Sequence, residues 1–169
     1  SNPLDSLNLS GCTSLTGDIN VDGGTPGGPN LSFLNVTGCS NITHLTCMSN
    51  QLNTLDLTNC NSIQNLTCGF NQITALDLSN LSNLSFLGVE NNALSSLDLR
   101  NGNNSNLTYI NASNNSVLNC ISVDNVAYSN TNWTGQNFQF DNHTIFLDVC
   151  ASFVLGPTAS FSASPTTVC

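Results

Sequence analysis

The sequence predicts a mainly β solenoid, built from short parallel strands in stacked coils, with almost no helix. Three observations carry this expectation. An apolar motif returns every 21 residues, a second copy of it is nested inside each period, and an asparagine recurs at one fixed place in the pattern.

The motif can be followed in chain order. Leu31-x-x-Leu34-x-Val36 leads to Cys39, and Ile42-x-x-Leu45-x-Cys47 leads to Asn50. The next passes open at Leu52, Ile73 and Leu94, so the starts fall 21 residues apart. Their nested copies are Ile63-x-x-Leu66-x-Cys68, Leu84-x-x-Leu87-x-Val89 and Leu107-x-x-Ile110-x-Ala112. The fourth pass is longer by about two residues, through Gly102-Asn103-Asn104. An irregular first copy runs from Leu4 through Leu7, Leu9 and Cys12 to Ile19 and Val21, and Gly23 to Pro29 interrupts it as a loop.

Alternation in Leu-x-Leu puts apolar side chains on one face of a short strand. A single coil cannot bury that face alone, so neighbouring coils must stack about 4.8 Å apart. Half-repeats of about ten residues leave no room for a helix. Asn50, Asn71, Asn92 and Asn115 fall just after a strand, where the chain turns inward. Their amides are expected to satisfy orphaned backbone groups of adjacent coils.

This pattern resembles the leucine-rich-repeat family, whose signature is L-x-x-L-x-L-x-x-N/C-x-L. More narrowly it is similar to a bacterial class of 21-residue repeats in which a nested copy carries L-D-L. The likeness covers roughly residues 4 to 126 and implies a leucine-rich-repeat solenoid. After Val117 the phase breaks. The segment Cys120 to Cys150 resembles the C-terminal caps of secreted bacterial repeat proteins, in which a Cys before V-D-x-V-A-Y pairs with one some thirty residues on. That resemblance implies a Cys120–Cys150 disulfide. The stretch Gly156 to Pro165 resembles the opening strand of a PKD-like, immunoglobulin-type domain. The expected division is therefore a solenoid over 1–119, irregular in 1–30, a cap over 120–150, and a linker or first strand of a truncated PKD-like domain over 151–169. No cap is evident ahead of the first coil.

Composition narrows the function. Charged residues are 7% of the chain, against about 25% in an average soluble protein, so Asn, Ser, Thr and Gly must wet the surface. The net charge is −9 with Arg100 the one basic residue, which excludes nucleic-acid and anionic-membrane binding. No apolar run of about 18 residues exists to span a bilayer. No signal peptide is visible, and Ser1 reads as the start of mature sequence or of a trimmed chain. Metal-type cysteine spacing is absent and no cofactor is expected.

The candidate sites are few. Cys12, Cys39, Cys60, Cys47 and Cys68 fall on the repeat and read as small buried apolar residues. Disulfides across stacked coils are disfavoured by the parallel direction of their side chains. Cys169 has no partner in the pattern. Asp56, Asp77 and Asp98 form a column that reads as a solvated stripe, with calcium coordination the lesser alternative. The other column exposes His44, Asn65, Phe86 and Tyr109, with Met48 and Phe70 close by, a platform for a sugar ring or a partner protein. His44 and His143 stand in no catalytic motif, and Glu90 is the one glutamate, so no enzyme is expected. A threonine array for ice binding starts at Thr46 and Thr67 but breaks at Gly88 and Asn111. Most sequons, such as Asn35, Asn65, Asn106, Asn132 and Asn142, follow from composition; a bacterial source usually leaves them bare, and a eukaryotic one is expected to glycosylate the exposed ones. The expected function is an extracellular or cell-surface binding and adhesion module for a protein or glycan. The alternative is a structural subunit of a filament or surface layer, in which copies of the chain stack end to end and exchange tails.

Overall fold

The computed structural model describes residues 4–24 and 30–150. It is a parallel-β solenoid of about six turns, as the repeat predicts. One face is a six-stranded sheet of β2 (Gly17–Asn20), β4 (Ile42–Thr46), β5 (Asn65–Thr67), β7 (Phe86–Gly88), β9 (Tyr109–Asn111) and β11 (Phe138–Gln139), in that spatial order. The opposite face carries β6 (Ala75–Asp77), β8 (Ser96–Asp98), β10 (Cys120–Ser122) and β12 (Ile145–Leu147), with β1 (Ser6–Asn8) and β3 (Phe33–Asn35) as a separate pair. Every pairing among these strands is parallel.

Between β3 and β6 the turn through Leu52–Leu57 forms no regular strand, yet it keeps the phase. Leu52, Leu55 and Leu57 are buried. Gln51 N–H donates to Leu31 O at 2.8 Å, and Gln72 N–H to Leu52 O at 2.9 Å.

The register aligns the aliphatic ridges. Leu45 stands opposite Leu66, Leu66 opposite Leu87, and Leu87 opposite Ile110. On the other face Leu76 meets Leu97, and Leu97 meets Ile121. All are at most 1% exposed. Burying each such side chain is worth about 1.5–3 kcal/mol, so this one interior dominates stability.

The asparagines hold successive turns together. The N–H groups of Leu31, Leu52, Ile73 and Leu94 donate to the Oδ1 atoms of Asn50, Asn71, Asn92 and Asn115 at 2.8, 3.0, 2.9 and 3.0 Å. Each Nδ2 reaches back to a carbonyl of the preceding turn: Val21, Cys47, Cys68 and Val89 at 2.9, 2.9, 3.0 and 3.1 Å. Each also donates within its own turn, as Asn71 does to Cys68 O at 3.1 Å. The residue ahead of each asparagine is left-handed, with φ of 57° at Ser49, 57° at Phe70, 54° at Asn91 and 59° at Asn114.

On the other rim the thiols play a comparable part. Cys39 Sγ donates to Leu9 O and Cys60 Sγ to Val36 O, both at 3.0 Å. In the next turn Asn80 Nδ2 makes the matching bond to Leu57 O at 2.9 Å. A thiol and an amide thus do the same work, which gives a physical reason for a position that takes either residue.

Both sheets continue past residue 119 into the cap, where β10 pairs with β8 and with β12, and β11 pairs with β9. The one α-helix among the described residues, α1 (Val126–Asn132), lies here, and Asn125 caps it by accepting from Tyr128 N–H at 2.9 Å. Trp133, 4% exposed, packs edge-on against Phe146 at 5.4 Å and beside Phe138 and Phe140, which seals the last turn. Cys120 and Cys150 are disulfide-bonded, with Cα atoms 5.9 Å apart. Closing a loop of this size constrains the unfolded chain by roughly 3 kcal/mol or more. At the opposite end Leu7, Leu9, Leu15, Ile19 and Val21 are only partly buried. The expected PKD-like segment over 151–169 lies outside the described residues.

The ladder yields a quantitative expectation. Asn71→Leu strands Leu52 N–H, at about 1–3 kcal/mol, and takes from Cys47 O one of its two amide donors, leaving Asn50 Nδ2 at 3.2 Å. Urea denaturation should show a loss of that order, and an unchanged midpoint would contradict the ladder's role.

Candidate functional site

The six-stranded face pairs in parallel from β2 to β11, with a register shift at Gly17/Asp18 and in register from β4 onward. Its outward row places Asp18, His44, Asn65, Phe86 and Tyr109 directly opposite one another in consecutive turns. Phe86 and Tyr109 stack face to face, with ring centroids 4.2 Å apart and planes 6° from parallel. His44 Nδ1 lies 2.7 Å from Asp18 Oδ1 and 3.0 Å from Thr43 Oγ1. Asn65 Oδ1 accepts only a long bond from Ser85 Oγ, at 3.4 Å.

Asp18 belongs to this row although the repeat pattern did not single it out. The first turn departs from the 21-residue period, and the register between β2 and β4 shifts at Gly17/Asp18. The group of Asp18, His44 and Thr43 is not a nucleophile-activating triad. Carboxylate and hydroxyl both approach Nδ1, whereas such a triad needs them on opposite ring nitrogens. His143 is an exposed residue of the cap.

The next outward row runs Asn20, Thr46, Thr67, Gly88 and Asn111. Thr46 and Thr67 do lie side by side, and the column breaks after them. Beyond that point the Glu90 side chain lies close over the backbone, so a Cβ would crowd it. A Cβ at Gly69 would sit 2.9 Å from Glu90 Cδ, and one at Gly88 would sit 3.3 Å from Glu90 Oε2. Thr46 Oγ1, Thr67 Oγ1 and Glu90 Oε2 are buried without a hydrogen-bond partner among the described residues.

Met48 and Phe70 do not join the aromatic row. Met48 is half-buried four residues beyond His44, and its N–H donates to Asp22 Oδ1 at 2.7 Å. Phe70 occupies the left-handed turn five residues beyond Asn65 and is 50% exposed.

The aspartate column lies on the opposite face and closes turns. Asp56, Asp77 and Asp98 accept through Oδ1 from the N–H two residues on, Thr58, Ser79 and Arg100, at 2.9, 2.9 and 3.0 Å. Asn8 and Asn35 do the same in earlier turns. The solvated-stripe expectation needs correction at Asp98, which is 2% exposed. Arg100 Nε bridges its two oxygens at 2.9 and 3.1 Å, and the buried charge is tolerated because it is paired. Among the described residues no group of three His, Cys, Asp or Glu is placed to hold a metal ion.

Cys39, Cys47, Cys60 and Cys68 are buried free thiols, as their place in the repeat predicts. Burial pushes the Cys60 thiol up to about 11. Its hydrogen bond with Cys68, together with burial, holds Cys47 protonated well above the usual thiol range. Cys47 and Cys60, kept protonated, are poor nucleophiles, so their part is structural. Cys12 corrects the expectation, being buried but disulfide-bonded.

A bulky side chain at positive φ is strained, and the ring of Phe70 gains little burial there. Phe70→Asn should raise the unfolding free energy by about 1 kcal/mol. A thermal melt that falls instead would show that the ring is held by contacts with the fold.

No family model, curated protein or solved structure matches this chain.

Proposed function

We propose that this chain is a non-catalytic binding and adhesion module of the cell exterior, and that the six-stranded face is its recognition surface. The observation that carries the reading is the Phe86–Tyr109 stack, a rigid apolar anchor in an otherwise polar row. Such anchors supply most of the energy in recognition surfaces. Asn65, His44 and Asp18 continue the row with hydrogen-bonding groups. The ligand is a glycan or a protein. A chain of net charge −9 with one arginine has no cations for phosphate.

An oxidising exterior fits the Cys120–Cys150 disulfide. Among the described residues no helix is long and apolar enough to cross a membrane. Kinship with secreted leucine-rich-repeat proteins is part of this proposal. The 21-residue period supports it, as do the asparagine and cysteine side chains that bond back to the preceding turn at the N/C position.

Glycan and protein arrays probed with the purified chain test the reading. A ligand should be captured, and joint replacement of Phe86 and Tyr109 by alanine should weaken it roughly tenfold or more. An empty result on both arrays would count against a binding module.

A second reading, a subunit of an extracellular filament, draws on the two ends. The apolar side chains of the first turn are partly open, and Ile145, Leu147 and Val149 are exposed along the last strand and just beyond it. Electron microscopy should show end-to-end fibres if this is right, and uniformly monomeric particles remove it.

A further inference from the structure

The row Asp18, His44, Asn65, Phe86, Tyr109 has one short rung. Neighbouring strands stand about 4.8 Å apart, so the backbones of His44 and Phe86, two rungs apart, are separated by about 9.6 Å. Asn65, a shorter side chain without a ring, stands between them.

Each boundary of this gap has a definite chemistry. One face of the Phe86 ring is covered by Tyr109 in a near-parallel stack, so the other face is turned along the row toward Asn65. Across the gap, His44 is held through Nδ1 by Asp18 and Thr43, which leaves Nε2 without a protein partner among the described residues. At the floor, Asn65 Oδ1 takes the long Ser85 contact, and its Nδ2 donates to no described group.

We infer that the Asn65 gap is a subsite for one neutral hexopyranose residue of a glycan. The inference rests on the six-stranded face being a binding surface, and it names the ligand class. A pyranose has an apolar C–H face and a rim of hydroxyls. Packed rings sit roughly 4.5 Å or more apart, close to one rung of the sheet. A sugar standing over Asn65 therefore extends the Tyr109–Phe86 stack at the spacing the strands already impose. Its hydroxyls meet Asn65 Nδ2 and His44 Nε2, two groups with unused hydrogen-bonding capacity. A nucleotide base has the right thickness, but its phosphates find no cation here. Arg100 is on the opposite face, paired with Asp98.

The test is NMR titration of the bacterially produced chain with the methyl pyranosides of glucose, galactose and mannose. The expected result is saturable shifts of the Asn65 side-chain amide and the Phe86 ring protons with at least one of them. Asn65→Phe adds a ring to the stack and fills the gap, so it should weaken that binding by about tenfold or more while the far-ultraviolet circular dichroism stays unchanged. Phe86→Leu removes the wall without filling the gap and should weaken it comparably, which keeps the test valid if the first variant folds poorly. No saturable shift with any of the three sugars, or equal affinity in a folded Asn65→Phe protein, overturns the inference. An array ligand lost on Phe86/Tyr109 replacement but retained by Asn65→Phe also overturns it, and leaves the binding-module reading standing. Pyranoside shifts at Asn65 with empty arrays support the subsite and sink the adhesion reading.

Discussion

Everything in this fold depends on one translation of about 4.8 Å being repeated without error from turn to turn. A single turn has no interior of its own, because Leu66 is buried only when Leu45 and Leu87 flank it. Hydrophobic burial favours stacking but is nearly indifferent to small slips along the strand. The side-chain amides remove that freedom. Asn71 accepts from Leu52 N–H and donates to carbonyls of Cys47 and Cys68, so it ties its own turn to the one before it. A slip of one residue would break these bonds, at about 1–3 kcal/mol for each group left buried and unpaired.

That constraint makes the outward rows informative. Inward positions must be apolar and the rims must turn, but an outward side chain such as Asn65 is under neither constraint. Rows on the six-stranded face are therefore set by neither requirement. Tyr109 and Phe86 fall on adjacent rungs and stack because the backbone delivers them at ring-packing distance. Phe70 points the same way. A phenylalanine at a φ of 57°, where later turns use Asn91 and Asn114, costs the fold something and buries little in return.

Much of this was legible in the chain itself, for a reason that also marks the limits. A period of 21 residues fixes which side chains share a row, so the interior, the asparagine ladder and the His44–Tyr109 column follow from counting. Counting fails where the period is broken. Asp18 was missed because the first turn is irregular and bulged. The helix at Val126–Asn132 lies beyond the last regular repeat, and only its cap residue Asn125 and the V-A-Y run that follows hinted at it. Asp98 has the same sequence context as Asp56 and Asp77, yet it alone is buried and paired. The difference is Arg100, two residues on, where the other turns carry Thr58 and Ser79. Periodicity reads position, but pairing and burial depend on the neighbour that breaks the pattern.

The electrostatics then restrict what the exposed row can recognise. With a net charge of −9 the protein repels anions at long range, and a specific anion site would need a local cation to offset this. Arg100 is committed to Asp98 on the opposite sheet, so the six-stranded face has no such group. In the aromatic row the one carboxylate is Asp18, which lies 2.7 Å from His44 Nδ1. What remains available is an aromatic face, an amide and an imidazole nitrogen. Recognition through such groups depends on shape and hydrogen bonding and is only weakly screened by salt. A rigid, charge-poor ladder is suited to that task because its spacing is set by the backbone, and neither binding nor ionic strength has to order it first.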